Sequence, residues 1–304
     1  MYKILKNLAF LSLVFLVLQG PVFAMSSGNY QIDWDSMNAG GTDSGESAGY
    51  SLKDTLSEIA TGVSESVGYE ARAGYRQGTG TLPVLSFSLS TQSNGTKVVY
   101  SAFGNAGKTV TVSSAASYSA DDYIAVVENE GGPELVAIGK ISSIAGTVIT
   151  VDKWDGDNAA MSASPSGSDD FVYKLSGVSA ALGTLSTGSV KTTITGLIIF
   201  TNAASGYTIS VYDDGNLRTA GGDDIDDVAD GAVTAGSEEY GISTTGTDAV
   251  GAGDFALTMN NTSAASSAGV SANRTAIIYQ AAIASDTAAG SYSHSVTYTV
   301  TANF

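Results

Sequence analysis

The chain of 304 residues combines a net charge of −17 with 36 glycines, four prolines, one histidine and no cysteine. An acidic balance of this size argues against nucleic acid and anionic membranes as partners, because both repel negative charge. The absence of cysteine excludes disulfides and a conventional zinc site built from cysteine and histidine. Many glycines, serines and threonines with few prolines favour short strands joined by tight turns, so we expect an all-β protein.

Residues 1–24 have the pattern of a secretory signal peptide. Lys3 and Lys6 supply a basic start, an apolar run extends from Leu8 to Leu18, and Ala24 ends a stretch typical of cleavage sites. The apolar run is about ten residues long, which is short for a membrane span. Cleavage after Ala24 removes two lysines and no acidic residue, which changes the net charge from −17 to −19. We therefore expect a secreted protein, extracellular or at the cell surface, with no membrane span after processing.

A short motif recurs about every twenty residues in the N-terminal segment 25–80. Its three copies are Ser27 to Tyr30, Ser47 to Tyr50 and Ser66 to Tyr69. This spacing predicts a β-rich repeat segment in which one structural unit is used three times, either as a meander or as stacked rungs. The spacing of apolar residues within 51–60 also predicts a short helix there.

Residues 81–94 begin with a predicted strand. Leu85, Phe87 and Leu89 alternate with serines, which indicates one buried face over residues 84–90. The dipeptide Asn94-Gly95 predicts a tight turn after this strand.

Residues 95–176 show short strands with turn signals between them. Glycine-containing turns separate the first three strands, and a fourth strand returns the chain. This spacing is typical of a small β-barrel. The four predicted strands are Tyr123 to Val127, Glu134 to Ile138, Thr147 to Val151 and Phe171 to Leu175.

Residues 177–304 contain further short strands, which together with residues 81–94 predict a β-sandwich. The last stretch, Ser291 to Phe304, alternates without a break between apolar or aromatic residues and small polar residues. A period of two predicts a strand with one buried face. The other predicted strands are 189–194, 196–201, 206–212, 256–259 and 275–282.

Two sets of motifs resemble those of secreted bacterial surface proteins. Asp35 to Gly41, Tyr50 to Thr55 and Ala73 to Gln77 are similar to an N-terminal module of exported bacterial proteins. A second set resembles the immunoglobulin-like sandwich of pilin-like, spore-coat-U-like and WxL-like wall proteins. It consists of Leu85 to Leu89, Leu182 to Ser186, Thr201 to Thr208 and Ala289 to Phe304.

This resemblance implies a discontinuous domain. In the family pattern the strand that corresponds to Leu85 to Leu89 lies close before the stretch that corresponds to Leu182 to Ser186. Many residues separate these two stretches here. The resemblance therefore implies an immunoglobulin-like β-sandwich, formed by residues 81–94 and 177–304, into which residues 95–176 are inserted as a small β-barrel. Insertions in surface loops are tolerated because closing a longer loop costs little extra entropy. Strand 84–90 is then expected to pair within the later sandwich.

Residues able to perform catalysis are few. A catalytic triad of the serine or cysteine type would need His294, which lies on the apolar face of the terminal strand without a nucleophile motif. We expect a partly buried or rim histidine. Paired carboxylates such as Asp213-Asp214 lie in glycine-rich turns, where solvated loop charge is a better explanation than a glycosidase pair. The sequence therefore predicts a protein that is not an enzyme.

Calcium is the cofactor that the acidic loops would suit. Hard cations prefer several carboxylate and carbonyl oxygens on a flexible loop, although neither acidic cluster has the EF-hand spacing. The predicted site comprises Asp223, Asp224, Asp226, Asp227 and Asp230. A second cluster of oxygen ligands comprises Asp152, Asp155, Asp157 and Asn158.

The expected function is that of a secreted structural or adhesive surface protein, with a pilin-like fibre subunit as one form of it. Self-association would then proceed through edge strands, with either the N-terminal segment or the terminal strand donated to a neighbour. The alternative is a carbohydrate-binding surface protein that recognises cell-surface glycans through exposed aromatic residues such as Trp34 and Trp154, with calcium.

Overall fold

A computed structural model describes residues 84–304 except 252 and 261, together with the backbone of six short strands between Ser26 and Ala73. The chain divides into two units, Met1–Leu82 and Pro83–Phe304. No helix occurs in these parts of the chain, and the all-β fold that the sequence predicts is confirmed.

The described strands of the first unit form three separate two-stranded hairpins. In each hairpin the serine and the tyrosine of one repeat copy face each other across the strands: Ser27 with Tyr30, Ser47 with Tyr50 and Ser66 with Tyr69. The repeat therefore corresponds to one hairpin register used three times. The prediction of a short helix within residues 51–60 is wrong, because Tyr50–Leu56 is a strand. The strands are β1 (Ser26–Ser27), β2 (Tyr30–Gln31), β3 (Gly40–Ser47), β4 (Tyr50–Leu56), β5 (Gly62–Ser66) and β6 (Tyr69–Ala73).

The second unit contains fourteen further strands between Leu85 and Ala302, all paired antiparallel within their sheets. They are β7 (Leu85–Gly104), β8 (Thr109–Val112), β9 (Tyr123–Glu128), β10 (Leu135–Ala145), β11 (Val148–Gly156), β12 (Phe171–Gly177), β13 (Lys191–Thr201), β14 (Tyr207–Asp213), β15 (Leu217–Arg218), β16 (Asp224–Ile225), β17 (Glu239–Gly246), β18 (Thr262–Ser267), β19 (Arg274–Ala282) and β20 (Val296–Ala302).

Two sheets face each other as a sandwich. One has the strand order β7-β13-β19-β17, and the other has the order β18-β14-β20. Their inner faces share one core that includes Leu197, Ile209 and Ile277, each fully buried. Leu85 to Thr91 of β7 pair with β13, which places the beginning of β7 in the sandwich.

The second half of β7 and the strands β8 to β12 close a small barrel, while β15 and β16 form a separate two-stranded sheet. From the second half of β7 the hydrogen-bonded order runs β8, β11, β10, β9 and β12, and β12 pairs with β7 again. A ring of this kind has no unpaired edge, and its inward side chains fill it. Tyr100, Ile124, Ile149 and Trp154 belong to this second core.

A third cluster joins the barrel to the sandwich. Ile138 and Leu175 on the outside of the barrel pack against Ile194 and Ile278 on the outer face of the four-stranded sheet. The C-terminal unit therefore has three layers: a three-stranded sheet, a four-stranded sheet and the barrel. The middle sheet is buried on both faces, which explains why β19 is buried almost throughout.

The prediction of a tight turn at Asn94-Gly95 is wrong, because β7 continues through these residues as one strand of 20 residues. The register explains the difference. Ser93 pairs with Lys174 and Val98 pairs with Val172, so β7 gains extra residues relative to β12 at this point. The dipeptide lies in a bulge, which bends a strand instead of reversing it. At this bend β7 passes from the sandwich into the barrel.

The terminal strand is confirmed with shorter bounds than the sequence pattern indicates. β20 begins at Val296, and its side chains alternate between half-buried and exposed as far as Ala302. None of the described residues 84–251, 253–260 and 262–304 belongs to a helix long and apolar enough to span a bilayer.

Candidate functional site: a cleft between two strand edges

Of the four edge strands of the sandwich, β7 and β20 have a side that no backbone segment of the described residues pairs with, whereas loop residues bridge the free sides of β17 and β18. β20 pairs with β14 on one side only. Residues 85–90 of β7 pair with β13 on one side, and β12 joins the other side only from Thr91 onward. Each edge therefore leaves a row of backbone hydrogen-bonding groups without a strand partner.

A cleft of about 1050 Å³ lies between these two strands. Leu89 and Thr91 of β7 line it on one side, and Val296 and Tyr298 of β20 line it on the other. Segments 178–185 and 287–295 form its rims, and Leu182 packs against the sandwich core from the first of them. The sandwich core is therefore open to solvent between the edges of β7 and β20.

Tyrosines form the deep end of the cleft. The hydroxyl groups of Tyr279 and Tyr298 hydrogen-bond to each other, and the ring of Tyr240 stacks on Tyr279 with 6.5 Å between centroids. Burial raises the pKa of Tyr298 to about 12, against the smaller opposing effect of its hydrogen bonds to Tyr279 and Thr195. These hydroxyls are therefore neutral and act as hydrogen-bonding groups at physiological pH.

His294 lies beside this tyrosine cluster and is half-buried, with a side chain that is 6 % exposed, which agrees with the partly buried histidine that the sequence predicts. Its Nε2 is 2.9 Å from the hydroxyl of Tyr240, and its Nδ1 is 3.1 Å from the backbone oxygen of Gly215. A carboxylate oxygen of Asp213 lies 3.7 Å from the same Nδ1. The order of acid, histidine and hydroxyl is also that of a catalytic triad, in which the histidine activates a nucleophilic hydroxyl group. Burial, however, raises the pKa of Tyr240 well above its usual value, which is opposite to the activation that a nucleophile requires.

The structure distributes the five carboxylates of the predicted calcium site over one loop and gives several of them local partners. The hydroxyl of Thr219 donates to Asp223, Asn216 donates to Asp224, and the backbone N–H of Ala232 donates to Asp230. Asp226 is exposed, whereas one oxygen of Asp227 is buried.

Burial and the nearby Asp213 raise the pKa of Asp227, which disfavours its charged form. No group of three or more histidine, aspartate or glutamate side chains among the described residues is arranged to hold a metal ion. The calcium site stays a prediction from composition.

The second oxygen cluster forms an ion-pair network between barrel and sandwich. Arg274 of β19 is 6 % exposed and pairs with Asp152 and Asp155 of β11. Lys153 pairs with Asp155 at 3.1 Å. Asp157 accepts a hydrogen bond from Thr245 of β17, which adds a further polar link across the same junction.

Trp154 is a core residue of the barrel. It is 8 % exposed, and its ring packs at 5.0 Å from that of Phe103. Stacking on a sugar from solvent is therefore excluded at Trp154, while Trp34 lies outside the residues whose side chains are described. No family model, characterised protein or solved structure matches this chain.

Proposed function

We propose that this chain is a secreted, non-enzymatic structural or adhesive surface protein whose copies associate by adding a strand to the open cleft. The observation that carries the proposal is the position of the cleft between two strand edges, with the sandwich core exposed inside it. An added strand would pair with the backbone of β7 or β20 and place alternate side chains among Leu89, Val296 and Tyr298.

The N-terminal segment of a neighbouring copy is the donor that we favour. The terminal strand is already used within its own sandwich, where seven residue pairs join β20 to β14 and Val300 packs against the core. The N-terminal segment precedes β7 directly and is built of short hairpins with strand-forming backbone. Donation of one such strand links one copy to the next and produces a fibre when it repeats.

Glycan recognition has weaker support. Trp154 is buried in the barrel, and the hydroxyls of Tyr279 and Tyr298 are already bonded to each other. Three of the tyrosines that line the cleft, Tyr240, Tyr279 and Tyr298, thus form its buried end, whereas Tyr292 lies on the rim.

The test measures association of the protein without its signal peptide, by light scattering after size-exclusion chromatography and by negative-stain microscopy. We expect higher-order species or filaments for the unaltered protein. Leu89→Asp places a charge in the cleft and should weaken association by about tenfold or more. Val270→Asp introduces the same charge at a residue that is 68 % exposed and outside the cleft, and should leave association unchanged.

Deletion of residues 25–82 should abolish association if the donor lies in the N-terminal segment. A monodisperse monomer at high concentration, without filaments, would exclude the fibre form of the proposal. Association that persists in the Leu89→Asp variant would exclude the cleft as the site.

A further inference from the structure

Asp213 carries a buried carboxylate that one histidine faces. Asp213 is the last residue of β14, and its side chain is 1 % exposed. Its Oδ1 accepts a hydrogen bond from the backbone N–H of Gly215 at 3.2 Å, whereas its Oδ2 has no hydrogen-bond partner among the described residues. The Nδ1 of His294 lies 3.7 Å from this Oδ2, which is too long for a hydrogen bond but within the reach of an ion pair. A buried carboxylate thus meets the one histidine of the chain.

The other charged groups near His294 do not neutralise Asp213. The guanidinium group of Arg218 pairs with the exposed Asp214 at 3.3 Å. Asp227 is a further acid: burial and Asp213 raise its pKa, whereas His294 lowers it. Among the described residues, only His294 is placed to bring a positive charge to Asp213. The titratable groups around His294 are Asp213, Asp214, Arg218, Asp227 and Tyr240.

His294 keeps its hydrogen bonds in both of its charge states. The Nδ1–H group donates to the backbone oxygen of Gly215 at 3.1 Å, since a carbonyl oxygen can only accept. The Nε2 accepts a hydrogen bond from the hydroxyl of Tyr240 when the ring is neutral and donates to the same oxygen when the ring is charged. The two states therefore differ mainly in the charge that Asp213 experiences. Histidine as a residue type changes its charge between about pH 5 and pH 8.

His294 also lies where one rim of the cleft is attached to the sandwich. The rim 287–295 lines the cleft, and its residues on both sides of His294 hydrogen-bond to the segment 214–218. The preceding residues of the rim hydrogen-bond only within the segment 284–292, among the described residues. The position of the whole rim therefore depends on its attachment around His294.

We propose that His294 is a pH-sensitive latch for the rim 287–295 of the cleft. When the imidazole is charged, its attraction to Asp213 holds the rim against the segment 214–218. When the imidazole is neutral, Asp213 is a buried negative charge without a positive partner, which is unfavourable. This cost is relieved when the rim moves away and water reaches the carboxylate. The rim is therefore held below neutral pH and released above it.

Release of the rim would widen the cleft beside β20, because the rim leads directly into this strand. If a strand of another copy enters the cleft, as proposed above, the latch sets the pH range in which that strand enters most readily. Only this consequence rests on the proposed function. The state of the rim can be measured whether or not copies associate, so failure of the latch and failure of the proposed function are different results.

The single histidine makes a direct test possible. NMR spectra of the protein without its signal peptide contain one set of imidazole signals, which reports the charge of His294 at each pH. Hydrogen exchange followed by mass spectrometry measures the protection of a peptide that covers 287–295, relative to the exchange rate of the unfolded chain at the same pH. We expect this protection to fall by about tenfold between about pH 5 and pH 8, with the midpoint of the imidazole signals. A peptide of β10 serves as the reference for overall stability.

Two variants without the ion pair should abolish this pH dependence. Asp213→Asn removes the negative charge and keeps the shape of the side chain. His294→Asn keeps a donor for Gly215 without a positive charge, so the test does not depend on the folding of one variant. Asp226→Asn removes an exposed carboxylate and should keep the dependence of the unaltered protein.

Three results would overturn the latch. The first is a protection of the rim that stays constant while the imidazole changes its charge. The second is an imidazole that keeps one charge state between about pH 5 and pH 8. The third is a pH dependence of the rim that persists in Asp213→Asn or His294→Asn.

Discussion

Glu134 lies between β9 and β10, with one carboxylate oxygen shielded from solvent. Its other oxygen accepts a hydrogen bond from the backbone N–H of Gly131 at 3.1 Å, whereas the shielded oxygen has no partner within the described residues. Burial raises the pKa of Glu134 from 4.5 to about 7, against the lowering effect of the nearby Thr192 side chain and of the hydrogen bond from Gly131. A buried carboxyl group that lacks a cationic partner prefers its neutral form.

This shift predicts a pH-dependent stability. Between pH 4.5 and about 7 the folded protein retains a proton that the unfolded chain has released. The contribution of Glu134 is therefore complete below the pKa of the unfolded chain and is lost as the pH rises through the folded pKa. We expect this group to lower the free energy of unfolding by up to about 3 kcal/mol between pH 4.5 and pH 8.

Glu134→Gln should reduce the fall in stability between pH 5 and pH 8, because the neutral amide does not titrate. Urea unfolding at both pH values measures the effect. Asp286→Asn, at an exposed position, serves as the control and should keep the dependence of the unaltered protein. An unchanged pH dependence in Glu134→Gln would contradict the assignment.

At the scale of single elements, β11 and the turn before it show how two glycines with positive φ differ. Gly146 lies in the β10–β11 turn with φ of +64°, and no atom lies within 4 Å of the place that a Cβ would take. Gly156 ends the strand with φ of +127°, and its Cβ would lie 2.2 Å from the backbone oxygen of Val136. The first position requires only a turn conformation, whereas the second also requires the absence of a side chain.

The two alanine variants should therefore differ in stability. Gly146→Ala should cost about 1 kcal/mol, because an alanine adopts the left-handed conformation at a modest penalty. Gly156→Ala should cost about 3 kcal/mol or more, because strain and a clash with fixed backbone are combined. Chemical denaturation of both variants measures the free energy of unfolding. Equal losses would contradict the prediction and show that β10 shifts away from Gly156 to make room for the added Cβ.

Strands in which apolar and polar residues alternate strongly could be predicted from the sequence. Strands that form because neighbouring elements pack against them could not. The barrel strands β9 to β12 and the terminal strand were indicated by apolar residues and by turn signals between them. Residues 189–194 and 196–201 were predicted as two strands, but β13 is continuous. Gly196 resembles a break, yet it is a point of close approach, because a Cβ there would lie 2.7 Å from a methyl group of Leu175 in the barrel.

The candidate site depended on information that a linear pattern does not contain. β7 and β20 lie at opposite ends of the C-terminal unit in sequence, and the cleft exists because the strand order leaves one side of each unpaired. β18 was missed because its sequence, Thr262–Ser267, has only alanines as apolar residues. Its strand state depends on pairing with β14.

At the scale of the whole molecule, barrel and sandwich share β7 and a common apolar cluster. Val127 and Ile138 of the barrel are buried against Ile194 and Ala276 of the sandwich, and the residues from Pro83 onward form one compact unit. Separation of the two bodies would expose this cluster and leave the buried Arg274 without its partners Asp152 and Asp155. Isolation of a buried charge costs about 3 to 5 kcal/mol.

We therefore expect barrel and sandwich to unfold together. Hydrogen exchange followed by mass spectrometry, at increasing urea concentration, should show peptides of β9 to β12 and of β13 to β19 losing protection at the same midpoint. Two separate midpoints would show that the shared strand and cluster do not couple the two bodies.

The path of β7 also decides how the C-terminal unit would respond to a pulling force. The chain enters the unit at Val84 and continues directly into this strand, which lies against β13, β12 and β8 in succession. Tension applied at Val84 along the axis of β7 would load the backbone bonds to three neighbouring strands in shear at the same time. Strands pulled in this direction do not open one bond after another, so we expect the unit to resist a force applied along β7.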